Sequence, residues 1–207
     1  MSSCRVKICG ITQVEDAVRA SELGVDAIGM VFYGPSPRNL DDLVLARDIA
    51  LSVGPFVEVV GLFVDAEAAF IESVLASVPL NCLQFHGDER VEQCEQWQRP
   101  YIKALRMKAD IDLHEQKQRY SSARGLLLDT YVKGVPGGTG EAFNWDRVPT
   151  DLGPIVLAGG LNEHNVKDAI QAASPWAVDV SGGVERGHGL KDASKMAAFI
   201  KNSKLEY

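Results

Sequence analysis

Short apolar runs alternate along the chain with longer segments whose apolar residues recur every three to four positions. The short runs predict strands, because four to eight continuous apolar residues are typical of strands buried on both faces. Eight such runs occur: one ending at Cys9, then residues 25–32, 57–63, 82–85, 101–105, 125–129, 155–157 and 177–180. The periodic segments between them predict helices.

The predicted helices follow the strands one by one. Thr12 with Glu15 three residues later is a capping-box pattern, and Gly24 suits the end of the same helix. The predicted helical segments are residues 12–23, 43–52, a stretch capped by Asp65, 89–98, 112–120, a short turn near Trp145, a stretch capped by Asn162, and 192–201.

This alternation of strands and helices predicts an α/β fold with parallel strands. Eight strand–helix units in 207 residues fit a single (β/α)8 TIM barrel, with residues 1–207 as one domain. The alternative is an open doubly wound sheet, which usually has five or six strands. That alternative requires two of the predicted strands to be absent, so we favour the barrel.

Composition excludes some function classes. The chain is 46% hydrophobic and 24% charged, which is ordinary for a soluble globular protein. It has no apolar run of roughly 20 residues and no basic-then-apolar leader pattern, so we expect a cytoplasmic protein without a membrane partner. The net charge of -7 argues against a nucleic-acid partner. The four cysteines form no CxxC pair, and we expect reduced thiols.

Candidate functional residues follow the strands, since the chemistry of such barrels lies at the carboxyl ends of the strands. The last two units carry tight glycine turns, which can present backbone N–H groups to a phosphate. Earlier units carry a thiol, an arginine and a carboxylate. In chain order the strand ends hold Cys9, the loop 36–38 with Arg38, Asp65, His86, Asp129, Gly159 with Gly160, and Asp179 with residues 181–183.

Each candidate also has a structural interpretation. Cys9 lies between a strand end and a predicted helix start, which favours a thiolate below the usual thiol pKa of about 8.5, yet most free cysteines are simply buried apolar residues. Asp129 fits a turn, Arg38 fits a solvated loop, and Asp179 fits a structural or orienting carboxylate. His86 has no partner histidine at ligand spacing, so we expect no metal.

Eight short motifs, in order, match one enzyme family. The chain resembles the phosphoribosylanthranilate isomerase family of tryptophan biosynthesis over nearly its whole length. It departs from the family at Gly182, where a serine is usual. The motifs are KICGIT (7–12), SPR (36–38), GLFVD (61–65), LQFHG (83–87), LDT (128–130), GGTG (137–140) with Phe143 and Trp145, LAGGL (157–161), and VDVS (178–181) running to Val184 and Glu185.

The resemblance implies an Amadori rearrangement of N-(5-phosphoribosyl)anthranilate to 1-(2-carboxyphenylamino)-1-deoxyribulose 5-phosphate. It implies Asp129 as the general acid, Cys9 as the general base and Arg38 as the partner of the anthranilate carboxylate. Asp179 is expected near the substrate amine or hydroxyls. One acid and one base suffice for this reaction, so no cofactor is expected. The resemblance assigns the phosphate to Gly159, Gly160, Ser181, Gly182 and Gly183.

Other functions remain open at this point. The related histidine-pathway isomerase shares the phosphate turns, but an aspartate is expected where this chain has Cys9. A metal-dependent epimerase needs a cluster of histidine and acidic ligands. A non-catalytic phosphosugar-binding module needs the glycine turns but neither Cys9 nor Asp129. We expect a small phosphorylated molecule as the substrate. We expect the protein to be either a monomer or a homodimer, with no other partner.

Overall fold

The computed structural model describes residues 4–130 and 144–204. Eight parallel strands form a closed barrel in chain order, with β8 pairing back onto β1. This confirms the predicted (β/α)8 barrel. The strands are β1 Arg5–Cys9, β2 Ala27–Phe32, β3 Glu58–Phe63, β4 Cys82–Phe85, β5 Tyr101–Arg106, β6 Gly125–Asp129, β7 Ile155–Leu157 and β8 Ala177–Val180.

Helices lie between the strands, and two 3₁₀ turns are present at Trp145–Arg147 and Gly182–Val184. A small antiparallel hairpin, formed by β9 (Glu185–Gly187) and β10 (Leu190–Lys191), was not predicted. The helices are α1 Val14–Glu22, α2 Leu43–Ser52, α3 Ala68–Ser77, α4 Val91–Glu95, α5 Leu113–Arg119, α6 Val166–Ala173 and α7 Ala193–Ser203.

The start of α1 differs from the prediction. Gln13, not Thr12, precedes the first turn, and its side chain makes no capping hydrogen bond. Thr12 instead donates from Oγ1 to the carbonyl of Gly189 in the β9–β10 hairpin, at 2.5 Å. The capping-box prediction at Thr12 is therefore wrong, because a tertiary contact takes the hydroxyl. Gly24 does follow the helix with a positive φ of 80°, as predicted for its end.

Two other predicted caps have different partners. Asp65 does not cap α3. It has a positive φ of 46°, and its carboxylate accepts from the N–H of Asp88 at 2.7 Å. Asn162 accepts from the N–H groups of His164 and Asn165, so it closes the turn before α6 rather than the first turn of α6.

The core lies in two layers. Outside the barrel, a row of aromatic rings joins neighbouring strands to the helices, with Phe32 stacked on Phe63 at 5.4 Å between centroids. Inside the barrel are two smaller apolar clusters, one of which contains Cys9, Val31 and Leu62. Since side chains alternate between the two faces of each strand, Cys9 and the inward positions of the other strands share one interior.

Three further predictions concern the whole chain. All four cysteines are free thiols. No helix within the described ranges is long and apolar enough to cross a membrane. The GGTG motif (137–140) and Phe143 lie outside the described residues, and the assignment of residues 1–207 to one domain stays a prediction.

Candidate active site

A buried ion pair on adjacent strands lies beside Cys9. Lys7 of β1 is in register with Asp179 of β8, and Lys7 Nζ donates to Asp179 Oδ1 at 2.9 Å. The two residues are only 4% and 8% exposed. Burial by itself would lower the pKa of Lys7, but Asp179 and Cys9 raise it above its usual value. Lys7 is therefore a cation at neutral pH, buried in the barrel interior.

The Cys9 thiol responds to burial and to this ion pair. Burial raises the pKa of Cys9, the Lys7 cation opposes that rise, and the Asp179 carboxylate adds to it. The prediction that the first helix lowers this pKa is therefore wrong. Cys9 ends β1, whereas α1 begins only at Val14, and Cys9 is only 4% exposed. The groups that favour the thiolate are Lys7, which is in contact with it, and to a smaller extent Lys191.

Gly29 makes room for this arrangement on the neighbouring strand β2. It is in register with Cys9, and a Cβ atom at this position would lie 2.8 Å from Cys9 Sγ and 3.0 Å from Lys7 Nζ. A side chain here would separate the thiol from the ammonium group. The contact between Lys7 and Cys9 therefore depends on a glycine in β2.

Asp129 ends β6 and has two different neighbours. Its Oδ1 accepts from the backbone N–H of Thr130 at 2.8 Å, and its Oδ2 lies 3.2 Å from Nε2 of His86. The other ring nitrogen of His86 lies 3.3 Å from Nε2 of Gln84. His86 Nε2 has no hydrogen bond of good geometry within the described part of the chain. His86, to which the motifs assigned no role, is thus in direct contact with the Asp129 carboxylate.

Gly159 packs directly on Asp129. It has a positive φ of 82°, and a Cβ atom there would overlap Thr130 and come within 2.6 Å of Asp129 Oδ1. An L-residue would be strained in this conformation and would also displace the carboxylate. The turn formed by Gly159 and Gly160 therefore also holds the Asp129 carboxylate in place.

This contact predicts two separable effects of Gly159→Ala. We expect the free energy of unfolding to fall by about 1–3 kcal/mol from backbone strain, and any activity that uses Asp129 to fall as well. Gly24→Ala is the matched control, because Gly24 has a φ of 80° with no atom within 4 Å of the added Cβ. Denaturant unfolding and turnover of both variants check this. Equal activity in the two variants would contradict the proposed contact.

The glycine turns after β7 and β8 lie against each other. Gly183 is in van der Waals contact with the carbonyl of Leu161, where a Cβ atom would overlap it. The Gly160 carbonyl accepts from Nδ2 of Asn165 at 2.9 Å, which ties the first turn to the start of α6. Ser181 Oγ is buried and has no hydrogen-bond partner among the residues described. This hydroxyl and the adjoining backbone N–H groups can therefore donate hydrogen bonds to an anionic ligand.

Arg38 reaches from the loop after β2 to the loop after β8. Its Nε and Nη2 donate to the two carboxylate oxygens of Glu185, each at 2.7 Å. Its side chain covers Gly10, where a Cβ atom would overlap it, and Nη2 would lie 3.3 Å from a Cβ at Gly182. Arg38 is therefore a partly buried, paired cation. The alternative of a solvated loop charge does not hold, since Glu185 and Gly10 enclose the guanidinium.

A second buried ion pair was missed from the sequence. Lys103 of β5 donates to Glu89 at 2.8 Å and to the Gly87 carbonyl at 2.6 Å. Glu89 also accepts from the N–H groups of Gly87 and Asp65. The pair thus fixes the loop that carries His86. The feature of the sequence that could have indicated this ion pair is a lysine, Lys103, inside the apolar run 101–105.

Comparison with known proteins gives a consistent assignment. A family model described as N-(5'phosphoribosyl)anthranilate (PRA) isomerase matches residues 6–202. The N-(5'-phosphoribosyl)anthranilate isomerase of Pseudomonas fluorescens (strain SBW25) is 56% identical over 202 residues, which are 97% of this chain and 96% of that protein.

Solved structures agree. The crystal structure of phosphoribosyl anthranilate isomerase from Thermotoga maritima has a TM-score of 0.89 and 41% identity, over 97% of this chain and 98% of that chain. A phosphoribosyl anthranilate isomerase in complex with reduced 1-(o-carboxyphenylamino)-1-deoxyribulose 5-phosphate has a TM-score of 0.85 and 40% identity, with the same coverage of 97% and 98%. The chain belongs to the N-(5'-phosphoribosyl)anthranilate isomerase family of tryptophan biosynthesis.

Proposed function

We propose that this isomerase catalyses the Amadori rearrangement of N-(5-phosphoribosyl)anthranilate to 1-(2-carboxyphenylamino)-1-deoxyribulose 5-phosphate. Asp129 acts as general acid and Cys9 as general base. The observation that carries the proposal is their placement: both residues end strands of one closed barrel. Two abutting glycine turns follow β7 and β8 at the same end of the barrel. A family relative in complex with the reduced product adds support.

In the first step Asp129 protonates the ribose ring oxygen. The bond between that oxygen and C1 breaks, and the nitrogen lone pair forms a protonated imine at C1. Asp129 is left as a carboxylate. Because a general acid must reach the atom it protonates, the fixed position of Asp129 between Thr130 and His86 favours this role.

In the second step the Cys9 thiolate removes the proton from C2. The electrons of that C–H bond form the C1=C2 double bond, and the imine electrons return to nitrogen, which gives a neutral enolamine. The enolamine then tautomerises: the C2 hydroxyl loses its proton, C1 gains one, and C2 becomes the ketone. No redox partner is needed for this sequence.

We propose that Lys7 keeps part of the Cys9 population ionised. Since burial raises the pKa of Cys9, the neighbouring ammonium is the group in contact that opposes this rise. Lys7 acts through Cys9, and Asp179 holds Lys7 in place at 2.9 Å. A role for Asp179 beside the substrate amine or hydroxyls stays a prediction.

Opposite shifts in the ionisation of Cys9 test this arrangement. Lys7→Met removes a cation and is expected to raise the pKa of Cys9, whereas Asp179→Asn removes an anion and is expected to lower it. The pKa of Cys9 in each variant is measured from the pH dependence of its alkylation by iodoacetamide, with mass spectrometry to identify the alkylated residue. The limb of the pH–activity profile that depends on Cys9 should shift in the same direction as this pKa. Unshifted profiles in both variants would rule out the role of Lys7.

The substrate's two anionic groups have separate partners in this proposal. Arg38 binds the anthranilate carboxylate, and Gly159, Gly160, Ser181, Gly182 and Gly183 bind the phosphate. Gly182 stands where the family usually has serine, so this position retains a backbone N–H for the phosphate but lacks the serine hydroxyl.

A fluorescence assay tests the proposed activity. We expect the fluorescence of freshly made N-(5-phosphoribosyl)anthranilate to fall on addition of the chain, at the same rate with and without a chelator. No enzyme-dependent loss would contradict the proposal. Sensitivity to the chelator would favour a metal-dependent epimerase, although the described residues hold no group of three or more potential metal ligands. Cytoplasmic location and a monomeric or homodimeric state stay predictions.

A further inference from the structure

The β9–β10 hairpin brings two charged side chains to Arg38. Glu185 opens β9 and Lys191 closes β10. Glu185 Oε1 accepts from both Arg38 Nε, at 2.7 Å, and Lys191 Nζ, at 2.8 Å, while Oε2 accepts from Arg38 Nη2 at 2.7 Å. One carboxylate therefore lies between two cations that touch the same oxygen.

This cluster is shielded from solvent. The side chains of Arg38, Glu185 and Lys191 are 13%, 6% and 0% exposed. Burial by itself would raise the pKa of the Glu185 carboxyl, but Arg38 and Lys191 together bring it below its usual value. Glu185 is thus an anion at neutral pH, and its charge opposes the lowering of the Lys191 pKa that burial causes.

The pairing uses only one edge of the guanidinium. A guanidinium has five N–H bonds, and Glu185 takes the bond on Nε and one on Nη2. The second edge, formed by Nη1 and the other bond of Nη2, can bind another carboxylate in the same bidentate manner. A substrate carboxylate can therefore bind Arg38 without displacing Glu185.

The backbone of Glu185 is held separately from its side chain. Lys195 Nζ on α7 donates to the Glu185 carbonyl at 2.9 Å, and the N–H of Lys191 donates to Asp16 at 2.9 Å. The hairpin is thus anchored to α7 and α1 independently of Arg38. Its carboxylate can be neutralised without removing these anchors.

We propose that Glu185 is a positioning residue that determines substrate affinity: it holds one edge of the Arg38 guanidinium so that the other edge is fixed for the anthranilate carboxylate. Lys191 keeps Glu185 in place from the opposite side. This inference rests on the proposed function, since it assigns Arg38 to the substrate carboxylate. Without the Glu185 charge, Arg38 and Lys191 repel each other across the site.

The test is the steady-state kinetics of Glu185→Gln, which keeps the shape of the side chain and removes its charge. We expect KM to rise by up to about 100-fold with a much smaller change in kcat, because the lost contact acts equally on bound substrate and transition state. With N-(5-phosphoribosyl)aniline, which lacks the carboxylate, we expect wild type and variant to have similar KM values.

Control variants distinguish the proposed role of Glu185 from a general loss of structure and from a failure of the proposed function. Glu58→Gln, the same substitution in the exposed ion pair with Arg124 at the start of β3, is expected to leave KM unchanged. If circular dichroism shows that Glu185→Gln does not fold, Glu185→Asp takes its place, because it retains the charge on a shorter side chain. We expect Glu185→Asp to raise KM by a smaller factor. An unchanged KM, or an equal loss with both substrates, overturns the inference. An inactive wild type contradicts the proposed function instead.

Discussion

Replacing Cys9 with alanine is expected to lower kcat for the proposed rearrangement by about 10²- to 10⁴-fold. Alanine cannot accept the proton from C2, and no other thiol belongs to the apolar cluster around Cys9. Steady-state turnover with saturating substrate measures the loss. Circular dichroism and denaturant unfolding show whether the fold is retained. Near-normal turnover in a folded Cys9→Ala variant would exclude the thiol as the base.

Cys82→Ala is the matched control for this experiment. Cys82 is also a buried thiol on a barrel strand, at the start of β4 rather than at a strand's carboxyl end. Burial raises the pKa of Cys82 to about 12, so it is not a base at neutral pH. Its replacement removes a similar buried volume and is expected to lower stability without lowering kcat. A comparable loss in kcat would indicate a packing effect in both variants.

Replacing Asp129 with asparagine is expected to lower kcat by about 10²- to 10⁴-fold as well. The amide retains an oxygen for the Thr130 N–H but has no acidic proton for the ring oxygen. Asp42→Asn is the control, because Asp42 caps α2 and asparagine caps helices equally well. Turnover near that of wild type in Asp129→Asn would remove Asp129 from the mechanism.

The double variant of Cys9 and Asp129 adds a further constraint. Because Asp129 and Cys9 are proposed to act in successive steps, the slower impaired step should limit kcat, so losing both should cost little more than the more damaging single loss. Multiplicative losses would mean that both residues act in one transition state, which contradicts the stepwise mechanism.

Strand positions could be predicted from the sequence because their signals are local. The apolar runs 82–85, 125–129, 155–157 and 177–180 match β4, β6, β7 and β8 to the residue. Buried parallel strands need continuous apolar residues, and turn-forming residues bound each run. The eightfold alternation then left the closed barrel as the fold that accommodates all strands.

Helix starts were harder, because a capping side chain has competing partners. Thr12 has the capping pattern, yet its hydroxyl bonds to Gly189, which is far away in the sequence. Asp65 likewise bonds to Asp88 rather than to its own helix. Asp112 and Asp192, which begin two of the predicted helical segments, do cap their own helices α5 and α7.

The positions of the candidate residues could be predicted from the sequence, but their electrostatics could not. Cys9, Asp129 and the glycine turns end or follow strands, as predicted, and their roles stay predictions. The partner of Arg38 was not found, since Glu185 is 147 residues away and reaches it through a hairpin with no apolar signal. The ionisation of Cys9 was assigned in the wrong direction, because full burial and contact with Lys7 depend on strand register.

The identity of the product tests the central claim most directly. Carbon-13 NMR of fresh N-(5-phosphoribosyl)anthranilate incubated with the wild-type chain is expected to show a ketone at C2 and a methylene carbon bonded to the amine. Conversion should stop in the Cys9→Ala variant. Formation of only anthranilate and ribose 5-phosphate, at the rate seen without protein, would contradict the account.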